Sequence, residues 1–183
     1  MPWLSILWGS LAGAAVLFVW GALCWVALRH HFGDWQALAE EGPLEAALAK
    51  AAVAPGLYAL PHWDRFEGGA ADPAFKARFA RGPNAHLFVI RDVSQAPGTF
   101  LKGLLLNFAT AALLAVLLYG GFLTVHGLVG TVVLFSALGL LAHGANPAQR
   151  SIWMGYPWRP VFTGLFDGVV GFALLGLVLH LLR

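Results

Sequence analysis

The chain has 183 residues, of which 59% are hydrophobic and 11% are charged, and its formal net charge at pH 7 is +2. A soluble domain carries about 25% charged residues, so this composition excludes an ordinary soluble protein. The positive charge is too small and too dispersed for a nucleic-acid-binding surface. We therefore expect an integral membrane protein.

The first apolar run, Trp3 to Leu28, predicts a transmembrane helix. It is longer than the roughly 7–15 apolar residues of a signal peptide, and no basic residue precedes it, so we expect the helix to be retained. The single cysteine, Cys24, lies within this run. A thiol in apolar surroundings is expected to be inert packing.

The segment from residue 30 to residue 98 is the polar part of the chain and holds eight of its nine acids. Its pattern predicts the order helix, strand, helix, strand. The first helix is LEAALAKAAV, which follows Gly42-Pro43, and the first strand is LYALP. The second helix is AFKARFA, which follows Asp72-Pro73, and the second strand is HLFVI, which precedes the polar turn RDVSQAPG. About 69 residues are few for an independent core, so we expect this segment to lean on the membrane or on a partner chain.

Three further apolar runs have about the length of a membrane span: Thr99–Tyr119, Thr124–His143 and Pro160–Leu182. Gly120-Gly121 is the expected turn between the first two of these runs. The predicted fold class is a membrane all-α protein with four transmembrane helices and a small α/β extramembrane segment between helices 1 and 2. The predicted divisions are residues 1–29, 30–98 and 99–183.

Four spans place both termini on one side of the membrane, here side A, and place residues 30–98 and 144–159 on side B. Bases near the membrane are more frequent on side B, which favours a cytoplasmic side B: Arg29, Arg91, Lys102, Arg150 and Arg159. The expected location is the bacterial inner membrane, as a multi-pass protein.

Asp167 is the only acid inside any of the four apolar runs. An ionisable group at that depth is costly and usually has a partner or a function. A rise of about 1.5 Å per residue places Asn107 level with Asp167, with Thr163 one turn above and with Arg159 and Lys102 nearer side B. One interpretation is a pocket in which Asp167 carries a proton or binds a ligand. The other is a buried acid, protonated or hydrogen-bonded to Asn107, that fixes helix packing.

Histidines form a second group, with His126 and His180 near side A and with His30 and His143 near side B. Two histidines from different helices could ligate haem or a metal ion. Because no haem-attachment or metal-binding motif is present, we expect no cofactor and keep these four residues as minor candidate ligands.

Glycines four residues apart, Gly9 with Gly13 and Gly164 with Gly168, predict close helix packing within the bundle or against another subunit. No phosphate-binding glycine loop or nucleophile motif is present. The sequence therefore predicts no catalytic residue.

The stretches LFVWGALCWVAL, PGLYALP, GPNAHLFVIRD and LFDGVVGFALLGLVL resemble a group of uncharacterised bacterial integral membrane proteins. That group has one span, a short helix–strand–helix–strand segment and three further spans, and the resemblance implies the same layout and no known activity. Its members have a basic residue near the start, which implies a cytoplasmic N-terminus. This chain has no base before Arg29, so the orientation stays open.

These observations favour a non-catalytic accessory or assembly subunit of a larger bacterial membrane complex. The alternative is a small proton-coupled transporter or lipid-handling protein that uses Asp167, and the third hypothesis is a haem or metal protein that uses the histidines. The expected partners are membrane lipids and other membrane subunits, and no nucleic acid.

Overall fold

A computed structural model describes residues 3–90 and 98–183. The predicted turn RDVSQAPG, with Arg91, therefore lies outside the described residues except for Gly98. The protein is mostly helical, with a small two-stranded sheet. In chain order the main elements are α1 (Trp3–Leu23), α2 (Gly42–Lys50), β1 (Gly56–Leu60), α3 (Pro73–Arg81), β2 (Ala85–Val89), α4 (Gly98–Tyr119), α5 (Gly127–Met154) and α6 (Arg159–Leu181).

The described chain forms two compact units. The helical unit comprises residues 3–37 with 98–183, and the small unit comprises residues 38–90. The sequence placed residues 30–37 with the polar segment 30–98. The structure places them with the helices instead, because His30, His31 and Asp34 bond to side chains of α6.

Four helices are long and apolar enough to span a membrane: α1 with its continuation to Leu28, α4, α5 and α6. Contacts along α1 and α6 run in opposite directions, because Gly9 lies beside Leu179 while Trp20 bonds to the backbone of Asp167. The first turns of α1 and the last turn of α6 therefore meet at one end of the bundle, here the terminal end. The opposite end is the site end.

Tight packing is concentrated at the terminal end. One buried cluster joins all four helices and consists of Ile6, Ala111, Leu114, Ala115, Leu118, Phe135, Phe172, Leu175 and Leu179. The buried residues of α4 all lie at or beyond Ala111. The first half of α4 thus has an apolar surface that the other described helices of its unit leave exposed.

The helix of the third apolar run extends beyond His143, the predicted end of that span. Helix α5 continues to Met154 through Pro147, so the predicted loop 144–159 is mostly helix. Proline lacks the N–H that would bond the carbonyl one turn earlier, but it does not stop this helix. The Ser151 hydroxyl donates to the Pro147 carbonyl at 3.2 Å. The helix ends at Gly155, whose φ of 69° is the left-handed conformation common after helix C-termini.

Glycines allow the closest helix contacts. A Cβ atom added to Gly168 would stand 2.5 Å from the carbonyl oxygen of Gly139 on α5, and one added to Gly13 would stand 2.5 Å from Leu175. One added to Gly9 would stand 2.9 Å from Leu179. Gly164 differs, because its nearest such neighbour is the His143 carbonyl at an ordinary 3.7 Å.

The small unit has the predicted order of helix, strand, helix, strand. Its strands pair antiparallel, with Leu57 opposite Phe88 and Ala59 opposite His86. Helix α3 begins after Asp72, whose carboxylate accepts from the Ala74 amide at 2.7 Å and so caps the helix.

Candidate functional site: a polar centre on α6

The site is formed where the chain leaves α1. The helix widens into a π-helical turn, Cys24–Leu28, and Arg29 then adopts a left-handed conformation with φ of 54°. The Arg29 guanidinium lies 4.7 Å from the centroid of the Phe32 ring, a cation–π contact that holds the reversal. As a result, the short 3-10 turn His30–Asp34 packs against α6.

Asp167 receives one histidine on each oxygen of its carboxylate. His30 Nε2 lies 2.8 Å from Oδ1, and His31 Nε2 lies 2.5 Å from Oδ2. The backbone carbonyl of Asp167 accepts a hydrogen bond from Trp20 Nε1 at 3.0 Å. The Asp167 side chain is 16% exposed and the His30 side chain is 23% exposed, so neither is fully enclosed by the bundle.

A second acid, Asp34, completes the network. Its carboxylate lies 3.0 Å from His31 Nδ1, accepts from the Thr163 hydroxyl at 2.7 Å, and accepts from Arg159 Nε at 3.3 Å. His31 therefore bridges Asp34 and Asp167. We call Cys24, His30, His31, Asp34, Arg159, Thr163 and Asp167 together the polar centre.

The geometry favours a doubly protonated His31. Both of its ring nitrogens face carboxylate oxygens, and a neutral imidazole has only one N–H. Burial alone would lower the pKa of His31, but the hydrogen bonds to Asp167 and Asp34 and their charges outweigh it, so the pKa is raised. Burial alone would raise the pKa of Asp34, but its bonds with Thr163 and His31 and the nearby positive charges lower it.

Aromatic rings pack around the two histidines. The Trp25 ring stacks on His31 with centroids 4.5 Å apart, and His30 lies 4.4 Å from His31 and 5.6 Å from Phe166. These contacts fix the orientation of the imidazoles at the carboxylate.

Cys24 brings a sulfur atom to the same place. Its side chain is fully buried, and its Sγ, a ring nitrogen of His30 and a carboxylate oxygen of Asp167 lie within 4.8 Å of one another. Within residues 3–90 and 98–183 this is the one group of three or more such donors that could hold a metal ion. Sulfur, imidazole nitrogen and carboxylate oxygen are the donors that proteins offer to zinc.

Three of the five residues predicted for an intramembrane polar cluster belong to the polar centre: Asp167, Thr163 and Arg159. The expected bond between Asn107 and Asp167 is not formed among the described residues, where Asp167 bonds to His30 and His31 instead. Asn107 and Lys102 lie on the first half of α4, a helix whose main contacts are with α1 rather than with α6. Two residues at the same depth in a bundle are neighbours only if their helices pack against each other.

Among the candidate histidine ligands, only His30 belongs to the polar centre. The His143 ring contacts Phe172 at 5.8 Å, the His180 Nδ1 atom lies 3.1 Å from the Thr131 hydroxyl, and His126 is exposed at the start of α5. In the part of the chain that the structure describes, neither His126 with His180 nor His30 with His143 makes a ring contact or hydrogen bond.

Sequence reasoning missed His31, Asp34, Cys24 and Trp20 as members or supports of this site. The available signal was the pair His30-His31 with Asp34 one turn later, directly after an apolar run. That pattern becomes informative only once the chain is known to reverse at Arg29.

Comparisons with protein-family models, with curated proteins and with solved structures find no match to this chain.

Proposed function

We propose that this protein is a membrane protein that binds a divalent transition-metal ion, with zinc as the best fit, through Cys24, His30 and Asp167. The observation that carries the proposal is the convergence of three different donor types from three segments: the end of α1, the turn after it, and α6. A bond between one histidine and the acid would suffice to hold the helices together. The adjacent Cys24 thiol adds a third donor that such a bond does not need.

The dimensions are compatible with an ion. Zinc bonds sulfur at about 2.3 Å and nitrogen or oxygen at about 2.0–2.2 Å, so tetrahedral ligand atoms lie roughly 3–4 Å apart. His30 Nε2 and Asp167 Oδ1 are 2.8 Å apart, and the three donor atoms lie within 4.8 Å. A bound ion would require the His30 nitrogen and the Asp167 oxygen to move apart slightly and the Cys24 sulfur to lie roughly 3–4 Å from both.

The remaining residues of the polar centre would orient the ligands. His31 holds the second oxygen of Asp167, and Asp34, fixed by Thr163 and Arg159, holds His31. Such outer hydrogen bonds set the orientation and basicity of metal ligands, and their loss lowers metal affinity by about 10–100-fold.

The partial exposure of two of the proposed ligands suggests the end of the bundle from which an ion reaches the site. The packed core is at the terminal end of the bundle, whereas His30 and Asp167 are partly exposed at the site end. We infer that the ion is accepted from the membrane face at the site end, in the bacterial inner membrane. Uptake, storage or transfer of a metal ion from that face is the corresponding class of function.

The test is metal binding by purified full-length protein in detergent. We expect one Zn²⁺ per chain and, with Co²⁺, the sulfur-to-cobalt charge-transfer band of a thiolate ligand. Cys24→Ser should abolish that band, and His30→Gln or Asp167→Asn should abolish stoichiometric binding. His31→Gln should weaken binding about 10–100-fold. The matched control is His126→Gln, which removes an exposed histidine at the other end of the bundle.

A wild-type protein that is folded but binds neither ion would contradict the proposal. The polar centre would then serve only to hold α6 against the turn His30–Asp34. In that case Asp167→Asn would lower thermal stability, and added metal would not change the stability of the wild-type protein.

The accessory-subunit hypothesis has separate support in the first half of α4. Its large apolar side chains are exposed, among them Phe100, Leu101, Leu104, Leu105 and Leu106. We propose that, if the protein belongs to a complex, this surface contacts the neighbouring subunit. Co-purification at native expression level tests this, and a monodisperse protein with no partner would count against it.

The proton-coupled or lipid-handling alternative also rests on Asp167, whose carboxylate is held by two histidines. A transport or growth assay distinguishes it, since a silent Asp167→Asn substitution would remove it.

A further inference from the structure

The β-hairpin of the small unit has an apolar face that the described chain leaves open. Because Leu57 pairs with Phe88, these two side chains lie on the same face of the sheet. Leu57 is 68% exposed, Phe88 is 74% exposed, and Ile90, two residues beyond Phe88 in the same alternation, is 65% exposed. We call Leu57, Phe88 and Ile90 the outer face.

The opposite face is apolar as well. Leu87 and Val89, which alternate with Phe88 and Ile90, are partly buried. An antiparallel sheet with one face in water has mostly polar residues on that face, whereas His86 is the one polar side chain among the paired residues of the outer face. An isolated two-stranded hairpin is also marginally stable in water. Three large apolar side chains that are each about two-thirds exposed or more therefore favour an apolar surface as the cover of the outer face.

The position of the hairpin in the chain favours a lipid surface. Ile90 precedes Gly98 by eight residues, and Gly98 begins α4, a helix apolar enough to span a membrane. Eight residues extend at most about 29 Å, at roughly 3.6 Å each. At its other end the small unit starts at Leu38, four residues after Asp34, which is bonded to α6.

Short connections at both ends give the hairpin a high effective concentration at the membrane surface. Trp63, three residues after β1 ends, is 47% exposed, and tryptophan is enriched at the headgroup level of bilayers. A second copy of the chain or a separate partner would have to find the same face by collision.

We propose that the outer face of the hairpin inserts into the headgroup and acyl boundary of the bilayer that α4 enters. This interaction is independent of metal binding at the polar centre. Leu57 and Phe88 supply the inserted apolar side chains, and Leu60 on the opposite face of β1 stays out of the lipid.

Single-cysteine variants test the proposal in the full-length protein. Leu57→Cys, Phe88→Cys and Leu60→Cys, each in a Cys24→Ala background, are labelled with an environment-sensitive fluorophore and reconstituted into phosphatidylcholine vesicles that contain headgroup-spin-labelled lipid. Leu60 is the matched control, since it is an exposed leucine of the same strand on the other face. We expect several-fold stronger quenching at positions 57 and 88 than at position 60, at every protein-to-lipid ratio.

Equal quenching at positions 57 and 60 would overturn the proposal. So would weak quenching at position 57 together with energy transfer between differently labelled copies, because a second copy would then cover the face. The labelled proteins are compared by size-exclusion profile and circular dichroism, so that a misfolded variant is replaced by Ile90→Cys.

Discussion

Asp167 has its hydrogen-bonding partners far away in the chain, 137 residues away for His30 and 136 for His31. The cost of an acid in an apolar helix predicts that it has a partner. Which residues become the partners of Asp167 is set by Arg29, because its left-handed backbone turns the next residues back onto α6. A non-glycine residue in that conformation is uncommon and has no reliable signal in a single sequence.

Asp72 is a carboxylate that acts on residues close to it in the chain, so its role can be predicted from the sequence. It caps α3, and hydrogen bonds from the Gly68 and Ala74 amides hold its pKa below the ordinary value. A lowered pKa means that the cap stabilises the helix fully above the ordinary aspartate pKa of about 3.9 and is lost as pH falls through the lowered value.

We expect the amide resonances of Ala74 and Gly68 to shift together in that acidic range as the cap is protonated. The measurement is an NMR pH titration of the full-length protein in detergent. Asn caps helices about as well as Asp but does not titrate, so Asp72→Asn should keep α3 and lose the pH dependence. The same titration in the Asn variant would show that another group is responsible.

At the scale of elements, small residues determine how closely the helices approach. The two glycines flanking Asp167 on α6 differ, since Gly168 faces the backbone of α5 and Gly164 makes only ordinary contact. The GxxxG spacing predicts a groove on a helix but not which glycine meets the partner backbone.

Gly168→Ala should therefore destabilise the bundle by about 1–3 kcal/mol, because the added methyl group collides with rigid backbone. Gly164→Ala should change stability by less than about 1 kcal/mol, because it finds space and gains helix propensity. Thermal or denaturant unfolding in detergent measures both. Equal losses for the two variants would show that the contact between α5 and α6 is not as described.

At the scale of the whole molecule, the four long helices alternate in direction, which places the start of α1 and the end of α6 at the terminal end of the bundle. Tyr119 at the end of α4 donates to the Leu179 carbonyl at 2.7 Å, so the turn after α4 lies at that end too. The turn before α6, with Trp158, lies at the site end.

This arrangement predicts which positions share a side of the membrane. In cells, Phe122→Cys and Arg183→Cys should react with a membrane-impermeant thiol reagent from one side, and Trp158→Cys should react from the other. The native Cys24 is fully buried and should stay unlabelled. Labelling of Phe122→Cys and Trp158→Cys from the same side would contradict the alternation, whichever way the protein is oriented.

The sequence by itself determined the helical class, the four apolar helices and the order of elements in the small unit. Those features depend on runs, periodicity and turn residues that act over a few positions. Tertiary structure decided that α5 continues through Pro147, that Asp167 bonds to His30 and His31, and that Cys24, His30 and Asp167 converge. The three residues converge because α1 and α6 are neighbours and because the backbone reverses at Arg29. Neither feature can be deduced from the spacing of nearby residues in the sequence.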